Sequence, residues 1–415
     1  MGKNPVLAII GGGASGLVGG IFAKRILRDE GEVIIIERMD RIGKKILATG
    51  NGRCNFTNIN MSAADFYGEN PDFTRYALDD FGVSATLDFF EKLGIYPKEE
   101  ENGKMYPYSG QASSVLDVLR YELQRLGVEI VTDFDVKSVK CIKSGFKIIS
   151  LLGKLINADK VIVASGGQAS PNLGSNGSGF DIMRDLGHRV TKVVPALVQL
   201  KTEKAIVKGL KGIKFMGNVK MFSEESFIGE EYGEVLFTDY GLSGPPVFRL
   251  SALCAVHKKC SVLLDFMPSL SKKDVFDLLS KRKKNLYHLT MESFFTGLFN
   301  KRIGNAVAKK SGIEKLSFPV SRLNKEIIWG ISENIKEFHF DIIGHNGFNN
   351  AQVTAGGVCT GEFNDKTMES LKVKGLYACG EVLDIFGNCG GFNLQWAWSS
   401  GRLAGKSAAE SLMTR

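Results

Sequence analysis

The sequence has no long apolar run, no closely paired cysteines and no internal repeat. No segment approaches the roughly 18 consecutive apolar residues that a membrane-spanning helix needs. The apolar stretch Pro5–Ile10 is shorter than the hydrophobic region of a signal peptide, and it runs directly into glycines. We therefore expect a cytoplasmic protein without a membrane partner.

The seven cysteines are scattered along the chain, and none forms a Cys-x-x-Cys pair. This spacing argues against a disulfide scaffold and against a zinc site, so we expect no metal. Lysine and arginine number 53 against 45 acidic residues, a formal net charge of +8. The clearest basic run, Lys281–Lys284, lies in a polar, helix-like stretch, which favours a solvated face over a nucleic-acid site.

The strongest motif is a glycine turn near the start, in the stretch PVLAIIGGGASGL. Gly11, Gly13 and Gly16 have the Gly-x-Gly-x-x-Gly spacing, follow an apolar strand and precede a helix. Such glycines allow a tight turn, close approach of the backbone to a pyrophosphate and close helix–strand packing. Glu37 ends the next apolar strand, where an acid accepts hydrogen bonds from an adenosine ribose. FAD and NAD fit this pattern better than NADP.

Two further apolar strands also end in glycines. VIVASGG ends at Gly166-Gly167, and LYACGE ends at Gly380-Glu381. Because ligands lie beyond the carboxyl ends of strands in an open α/β sheet, we expect three glycine turns along one edge. A long dinucleotide such as FAD spans an edge of that length, and Glu381 would then reach its ribityl hydroxyls.

Residues 43–58, GKKILATGNGRCNFTN, form a polar loop after Glu37. The loop could wrap a pyrophosphate or a flavin edge, or it could be an ordinary long connection. Cys54 has no basic neighbour in sequence, which favours a structural thiol over a reactive one. Near the C-terminus, Gly390-Gly391 precede a helix rich in small residues, and we expect that helix to direct its positive end at N1 and the C2 carbonyl of a flavin.

Taken together, six stretches resemble one bacterial family of FAD-dependent flavoproteins, which includes aminoacetone oxidase and the bile-acid-pathway flavoprotein BaiN. They are GGGASGL, TGNGRCNFTN, GSNGSGF, FTDYGLSGP, VTAGGV and GEVLDIFGNCGGFNLQWAWSSG, in this order along nearly the whole chain. Members of that family often carry histidine where this sequence has Asp239.

The resemblance implies an α/β fold: a Rossmann-like, glutathione-reductase-like FAD-binding domain split by an inserted β-barrel-like domain and a helical cap. We expect the FAD-binding domain at 1–190 and 351–415, the barrel at 191–270 and 337–350, and the cap at 271–336. The expected cofactor-binding residues are Gly11, Gly13, Ala14, Ser15, Gly16, Glu37, Arg38, Lys44, Lys45, Gly52, Arg53, Cys54, Asn55, Val136, Ser165, Gly166, Gly167, Gly380, Glu381, Gly390, Gly391, Phe392 and Asn393.

The expected activity is hydride transfer through flavin N5, with NAD(P)H as a transient reductant and a small organic or steroid-like enone as substrate. The sequence has no second Gly-x-Gly-x-x-Gly motif that is followed by an acid, so it predicts no separate NAD(P)H-binding domain. The catalytic candidates are Thr238, Tyr240, Thr354 and Asn393. His345 lies between Gly344 and Asn346, and this position favours an exposed histidine in a turn. The alternatives are an amine oxidase that uses oxygen, an RNA-associated flavoprotein and a flavin-binding protein without catalysis.

Overall fold

A computed structural model describes residues 4–414 and divides them into two compact units. Unit 1 comprises the chain up to Pro195 together with the chain from Ala351 onward, and unit 2 comprises Ala196–Asn350. Residues 191–195, expected in the insertion, fall in unit 1, where Thr191 donates its backbone N–H to the Gly357 carbonyl at 2.8 Å.

The strands are numbered along the chain. They are β1 (Val6–Ile10), β2 (Glu32–Ile36), β3 (Thr57–Asn58), β4 (Phe66–Tyr67), β5 (Pro97–Glu100), β6 (Lys104–Pro107), β7 (Glu129–Val131), β8 (Val136–Ile142), β9 (Gly145–Ser150), β10 (Leu155–Ala158), β11 (Lys160–Val163), β12 (Val194–Ala196), β13 (Leu200–Thr202), β14 (Lys214–Ser223), β15 (Ser226–Phe237), β16 (Gly241–Ser243), β17 (Cys260–Asp265), β18 (Phe338–His345), β19 (Val353–Ala355), β20 (Leu376–Ala378) and β21 (Phe386–Gly387).

The α-helices are numbered in the same way. They are α1 (Ala14–Leu27), α2 (Lys44–Ala48), α3 (Arg75–Asp80), α4 (Val83–Lys92), α5 (Ala112–Leu126), α6 (Ser178–Asp185), α7 (Lys204–Val207), α8 (Pro245–Val256), α9 (Lys272–Asn285), α10 (Met291–Phe294), α11 (Lys301–Lys310), α12 (Lys325–Lys336) and α13 (Phe392–Met413).

Unit 1 is built on a five-stranded parallel sheet in the order β20-β11-β1-β2-β7. Strand β1 is buried along its whole length, and β2 is buried after its first residue, because helices cover both faces of a parallel sheet. The carboxyl ends of β1, β11 and β20 lead into the three glycine turns. The parallel pairing thus brings these turns to one edge of the sheet, as the sequence predicts.

Helices α1 and α13 pack with their backbones in contact, through glycines on both helices. A Cβ atom at Gly405 would lie 2.1 Å from the Gly19 carbonyl oxygen, and one at Gly401 would lie 2.3 Å from the Ser15 carbonyl oxygen. The small residues of α13 are therefore required by this close packing, as its sequence predicts.

We expect Gly405→Val to lower the free energy of unfolding by about 1–3 kcal/mol, because the added side chain must push the two helices apart. Lys406→Ala, next to it on a half-exposed position, is the matched control and should change stability by less than about 0.5 kcal/mol. Chemical denaturation of both variants checks this. Equal stability of the Gly405 variant and the wild type would contradict the packing described here.

Unit 2 contains a closed six-stranded barrel in the order β13-β16-β15-β14-β17-β18. Its strands alternate buried and more exposed residues, with Val219 and Met221 of β14 facing the core. Helices α9 to α12 supply further members of the same apolar core, including Val275 and Ile331. The helical segment 271–336 thus shares one core with the barrel.

Among residues 4–414, no helix is long and apolar enough to cross a membrane. The same part of the chain holds no cluster of three histidine, cysteine or acidic side chains arranged to bind a metal ion.

Candidate functional site

The first glycine turn has two crowded positions and one open position. A Cβ atom at Gly11 would lie 2.4 Å from the Ala164 carbonyl oxygen, and one at Gly16 would lie 2.0 Å from the Gly11 carbonyl oxygen. At Gly13, by contrast, an added Cβ would meet no protein atom within 4 Å. Gly11 and Gly16 are thus required by the fold, whereas the space beside Gly13 is free for a ligand.

Glu37 closes this turn from the end of β2. Its two carboxylate oxygens accept hydrogen bonds from the backbone N–H of Gly12 at 2.9 Å and of Met39 at 2.8 Å. The residue is 8% exposed, and burial raises the pKa of its carboxyl above the ordinary value, with the two backbone donors opposing the shift. Each oxygen keeps a lone pair for a ligand hydroxyl.

Arg38 follows Glu37 and is only partly paired. Its guanidinium lies 3.2 Å from the Asp135 carboxylate, while its Nε is buried and has no hydrogen-bond partner within residues 4–414. An unsatisfied buried donor beside the acid is consistent with a polar ligand at this place.

The second and third glycine turns meet at Glu381. Its carboxylate accepts from the Lys45 ammonium and from the Thr354 backbone N–H, both at 2.8 Å. A Cβ atom at Gly167 would lie 2.8 Å from the same carboxylate and 2.4 Å from the Thr354 hydroxyl. Gly380 and Glu381 therefore lie together with Gly167 and Lys45 at one edge of the sheet.

Gly390 and Gly391 form the turn ahead of α13. Gly391 has φ +102°, and an added Cβ would lie 2.5 Å from the Thr57 carbonyl, so both its conformation and its contacts require glycine. Helix α13 begins here without a side-chain cap. Its first backbone N–H groups are therefore available to an anionic ligand.

Three side chains converge on the open side of Gly390. A Cβ atom there would lie 3.5 Å from Cε of Lys104, 3.7 Å from Nδ2 of Asn58 and 3.8 Å from Nδ2 of Asn55. Asn58 donates to the Gly390 carbonyl at 2.9 Å. Asn55 is 7% exposed, and its Oδ1 accepts no hydrogen bond from the described residues.

A cavity of about 490 Å³ adjoins Lys104. Besides that lysine, its walls are Arg53, Glu100, Glu101 and Tyr106. The Arg53 guanidinium lies 2.5 Å from Glu100 and stacks over the Tyr106 ring, 4.2 Å from its centroid. These contacts hold Arg53 at the cavity wall.

The surroundings of Cys54 argue against a reactive thiol. It is fully buried, and burial raises the pKa of its thiol to about 12, so the thiolate is not populated at neutral pH.

The other residues expected at the cofactor also lie in unit 1. Ser15 lies against Gly380, where an added Cβ would be 2.5 Å from its hydroxyl. Lys44 pairs with Asp40 at 2.5 Å, near the surface. The rest of this set is Ala14, Gly52, Val136, Ser165, Gly166 and Phe392.

The catalytic candidates do not form one cluster within either unit. In unit 1, Thr354 is buried, and its hydroxyl accepts from the backbone N–H of Gln168 and Ala169 at 2.8 and 2.9 Å. Asn393 holds the turn before α13 by accepting from the Gly387 N–H at 2.7 Å. Thr238 and Tyr240 lie in unit 2, between β15 and β16.

Comparison with known proteins places the chain in a family. Residues 5–407 match the family described as the HI0933-like protein Rossmann domain. The chain belongs to this family. The predicted resemblance to an FAD-binding flavoprotein family and the predicted Rossmann-type fold with an inserted barrel are therefore confirmed.

Two relatives match this chain over almost its whole length. A 3-dehydro-bile acid delta(4,6)-reductase of Clostridium scindens is 43% identical over 408 residues, covering 97% of this chain and 99% of the relative. A ribosomal RNA dihydrouridine synthase of Escherichia coli is 30% identical over 393 residues, covering 94% and 95%. This chain is an oxidoreductase.

A solved structure shares the fold. Quinol fumarate reductase FrdA of E. coli covers 99% of this chain with a TM-score of 0.51 and 15% identity, and the match covers 70% of FrdA. At this identity the likeness concerns the fold alone.

The residues predicted from the sequence do not include Lys104, Asn58 or Tyr106. Alternation along β6 could have placed Lys104 and Tyr106 on one face of a strand. No local pattern connects that strand with the Gly390 turn, which lies far along the chain.

Proposed function

We propose that this protein is an FAD-dependent reductase that saturates a carbon–carbon double bond conjugated to a carbonyl group in a small, polycyclic substrate. The observation that carries this proposal is the 43% identity, over 97% of the chain, to a 3-dehydro-bile acid delta(4,6)-reductase. NAD(P)H is the proposed reductant.

The residues present fit FAD. The open space at Gly13 suits the approach of a pyrophosphate to the backbone, and the Glu37 carboxylate retains acceptor capacity for a ribose. The unpaired Oδ1 of Asn55 is an acceptor, and the N–H of a flavin pyrimidine ring is a matching donor. When bound, FAD would supply the hydride acceptor and donor of the reaction at its N5 atom.

The protein's own residues would hold the cofactor along one edge of the sheet. Glu381, fixed by Lys45 and by the Thr354 N–H, would accept from ribityl hydroxyls. The uncapped start of α13, at Gly391, would stabilise negative charge on the reduced ring system. Thr354 itself would act by positioning, since its hydroxyl oxygen accepts from two backbone N–H groups and so holds the 168–169 turn in place.

The reactions for which the two relatives are named share one kind of chemistry. A delta-4,6 unsaturated 3-oxo bile acid carries double bonds conjugated to its ketone. Dihydrouridine forms by reduction of a double bond of the uracil ring that is likewise conjugated to a carbonyl group. Hydride addition to the β-carbon of such a system places negative charge on the carbonyl oxygen, which a reductase must stabilise. This shared chemistry supports a reductase over an amine oxidase.

A second candidate is reduction of uridine in ribosomal RNA, favoured by the relatives from E. coli and Haemophilus influenzae, each 30% identical over at least 94% of the chain. The basic run on α9 adds little to it. Arg282 in that run donates to the backbone carbonyls of Phe294 and Thr296 at 2.8 and 2.9 Å. It thus has a structural role.

The experiment uses the FAD-loaded protein under anaerobic conditions. It is reduced with NADH or NADPH and then mixed with either a 3-oxo-4,6-diene bile acid or ribosomal RNA that lacks dihydrouridine. The proposal predicts that the bile acid reoxidises the flavin and is saturated, whereas the RNA does not react. Dihydrouridine formation without bile-acid reduction would establish the second candidate instead.

A further inference from the structure

The ammonium group of Lys104 is an unpaired positive charge in the β5–β6 hairpin, whose other basic residue, Lys98, is paired. Lys104 forms no ion pair and no side-chain hydrogen bond with any residue in the described range 4–414. On the same hairpin, Lys98 lies 3.6 Å from Glu100. Arg53, from the loop before β3, pairs with the same carboxylate. Glu101, the other acid at the cavity, is exposed.

The position of Lys104 directs this charge toward the glycine turn before α13. Its Cε lies 3.5 Å from the point where Gly390 would carry a Cβ, on the side where Asn55 and Asn58 also converge. Strand β6 is held in place by pairing with β5 and with β3, in a register that sets Lys104 opposite Glu100 and Asn58. The lysine backbone is therefore fixed, while its half-buried side chain reaches the turn.

We infer that Lys104 binds at the pyrimidine edge of the flavin and stabilises the negative charge that two-electron reduction places there, so that it sets the reduction potential of the cofactor. This inference rests on the proposed FAD site. Three groups would then contact this edge of the flavin. The Asn55 carbonyl oxygen accepts from the ring N–H, and the α13 N-terminus and the Lys104 ammonium face N1 and the carbonyl oxygen of the ring. Lys104 is the only full positive charge among these three groups.

A lysine in this position favours the reduced flavin because its attraction to the anion is stronger than to the neutral oxidised ring. Partial burial weakens solvent screening and strengthens that difference. The same charge on an exposed, paired lysine is screened by water and by its carboxylate partner. Lys98, 52% exposed and facing Glu100, provides that comparison on the same hairpin.

The test compares Lys104→Met with Lys98→Met and Lys104→Arg, each saturated with FAD, by spectroelectrochemical titration. We expect Lys104→Met to lower the equilibrium constant for flavin reduction about tenfold, which for a two-electron couple is a midpoint potential lower by about 30 mV. Lys98→Met should change that constant less than twofold, and Lys104→Arg should retain most of the wild-type value.

Equal potentials in Lys104→Met and wild type would overturn the inference, and so would equal shifts in the two methionine variants. If Lys104→Met retains too little FAD for titration, the dissociation constants of oxidised and reduced FAD decide. The inference requires that the reduced form lose affinity about tenfold more than the oxidised form, and equal losses would overturn it. Because no substrate takes part, loss of enone turnover has no bearing on the result. A wild-type protein that binds no FAD would overturn this inference and the proposed function together.

Discussion

Replacement of Gly13 by alanine is expected to weaken FAD binding at least tenfold while leaving the protein folded. The added methyl group would meet no protein atom within 4 Å, and the backbone at Gly13 is extended with φ −88°, a conformation that alanine adopts readily. The methyl would instead occupy the space into which the pyrophosphate is proposed to fit. Loss of one charge-assisted hydrogen bond costs about 1.5–3 kcal/mol, and 1.4 kcal/mol is a factor of about ten in affinity.

Gly16→Ala is the contrasting variant. Its methyl would lie 2.0 Å from the Gly11 carbonyl oxygen, so this change should damage the fold of the apoprotein as well as binding. Thermal unfolding of the apoproteins and fluorescence titration with FAD separate the two effects. A Gly13→Ala protein that binds FAD like the wild type would show that the cofactor does not approach this turn.

Replacement of Glu37 by arginine is also expected to weaken FAD binding at least tenfold. The change removes the carboxylate proposed to accept ribose hydrogen bonds, and it places a cation among the backbone N–H groups of Gly12 and Met39. Each hydrogen bond to a charged acceptor contributes about 1.5–3 kcal/mol.

Two further variants show whether the loss is local. Glu32→Arg changes the charge by the same amount at the exposed first residue of β2, and it should leave FAD affinity within twofold of wild type. Glu37→Gln keeps one carbonyl acceptor and should fall between wild type and Glu37→Arg. Equal dissociation constants for Glu37→Arg and wild type would remove this residue from the site.

Several elements could be predicted because their signals are local. Val115, Leu119 and Leu123 recur at helical spacing and mark one apolar face, and all three lie buried on α5. The glycine spacing after β1 and the burial of β2 are equally local. These features depend on a few consecutive residues, so their periodicity is visible in the sequence alone.

Other features depend on contacts between distant residues. His188 is buried, with Nδ1 2.8 Å from Glu362 and Nε2 3.0 Å from Ser370, and nothing in the sequence around any of the three indicates this cluster. Burial lowers the pKa of His188, while Glu362 opposes the shift. The hydroxyl oxygen of Thr354, a catalytic candidate, accepts from the backbone of the 168–169 turn, which only the folded chain brings to it.

The placement of Lys104 shows the same limit at the site itself. The sequence predicts a cofactor turn at Gly390, but nothing in it relates that turn to the short strand at Lys104–Pro107. Their contact arises because β6 pairs with β3, and Asn58 of β3 bonds to the Gly390 carbonyl. Charge near a cofactor can thus be assigned only once strand register is known.

The most direct test of the proposed function is a single turnover without NAD(P)H or oxygen. The FAD-loaded protein is photoreduced anaerobically and mixed with one equivalent of a 3-oxo-4,6-diene bile acid, and flavin absorbance and product are measured together. The account predicts return of the oxidised flavin spectrum with formation of one equivalent of product lacking one double bond. The contradicting result is reduced flavin that persists in the presence of the bile acid. If the same protein, given aminoacetone and then oxygen, returns to oxidised flavin and consumes the aminoacetone, it is an amine oxidase instead.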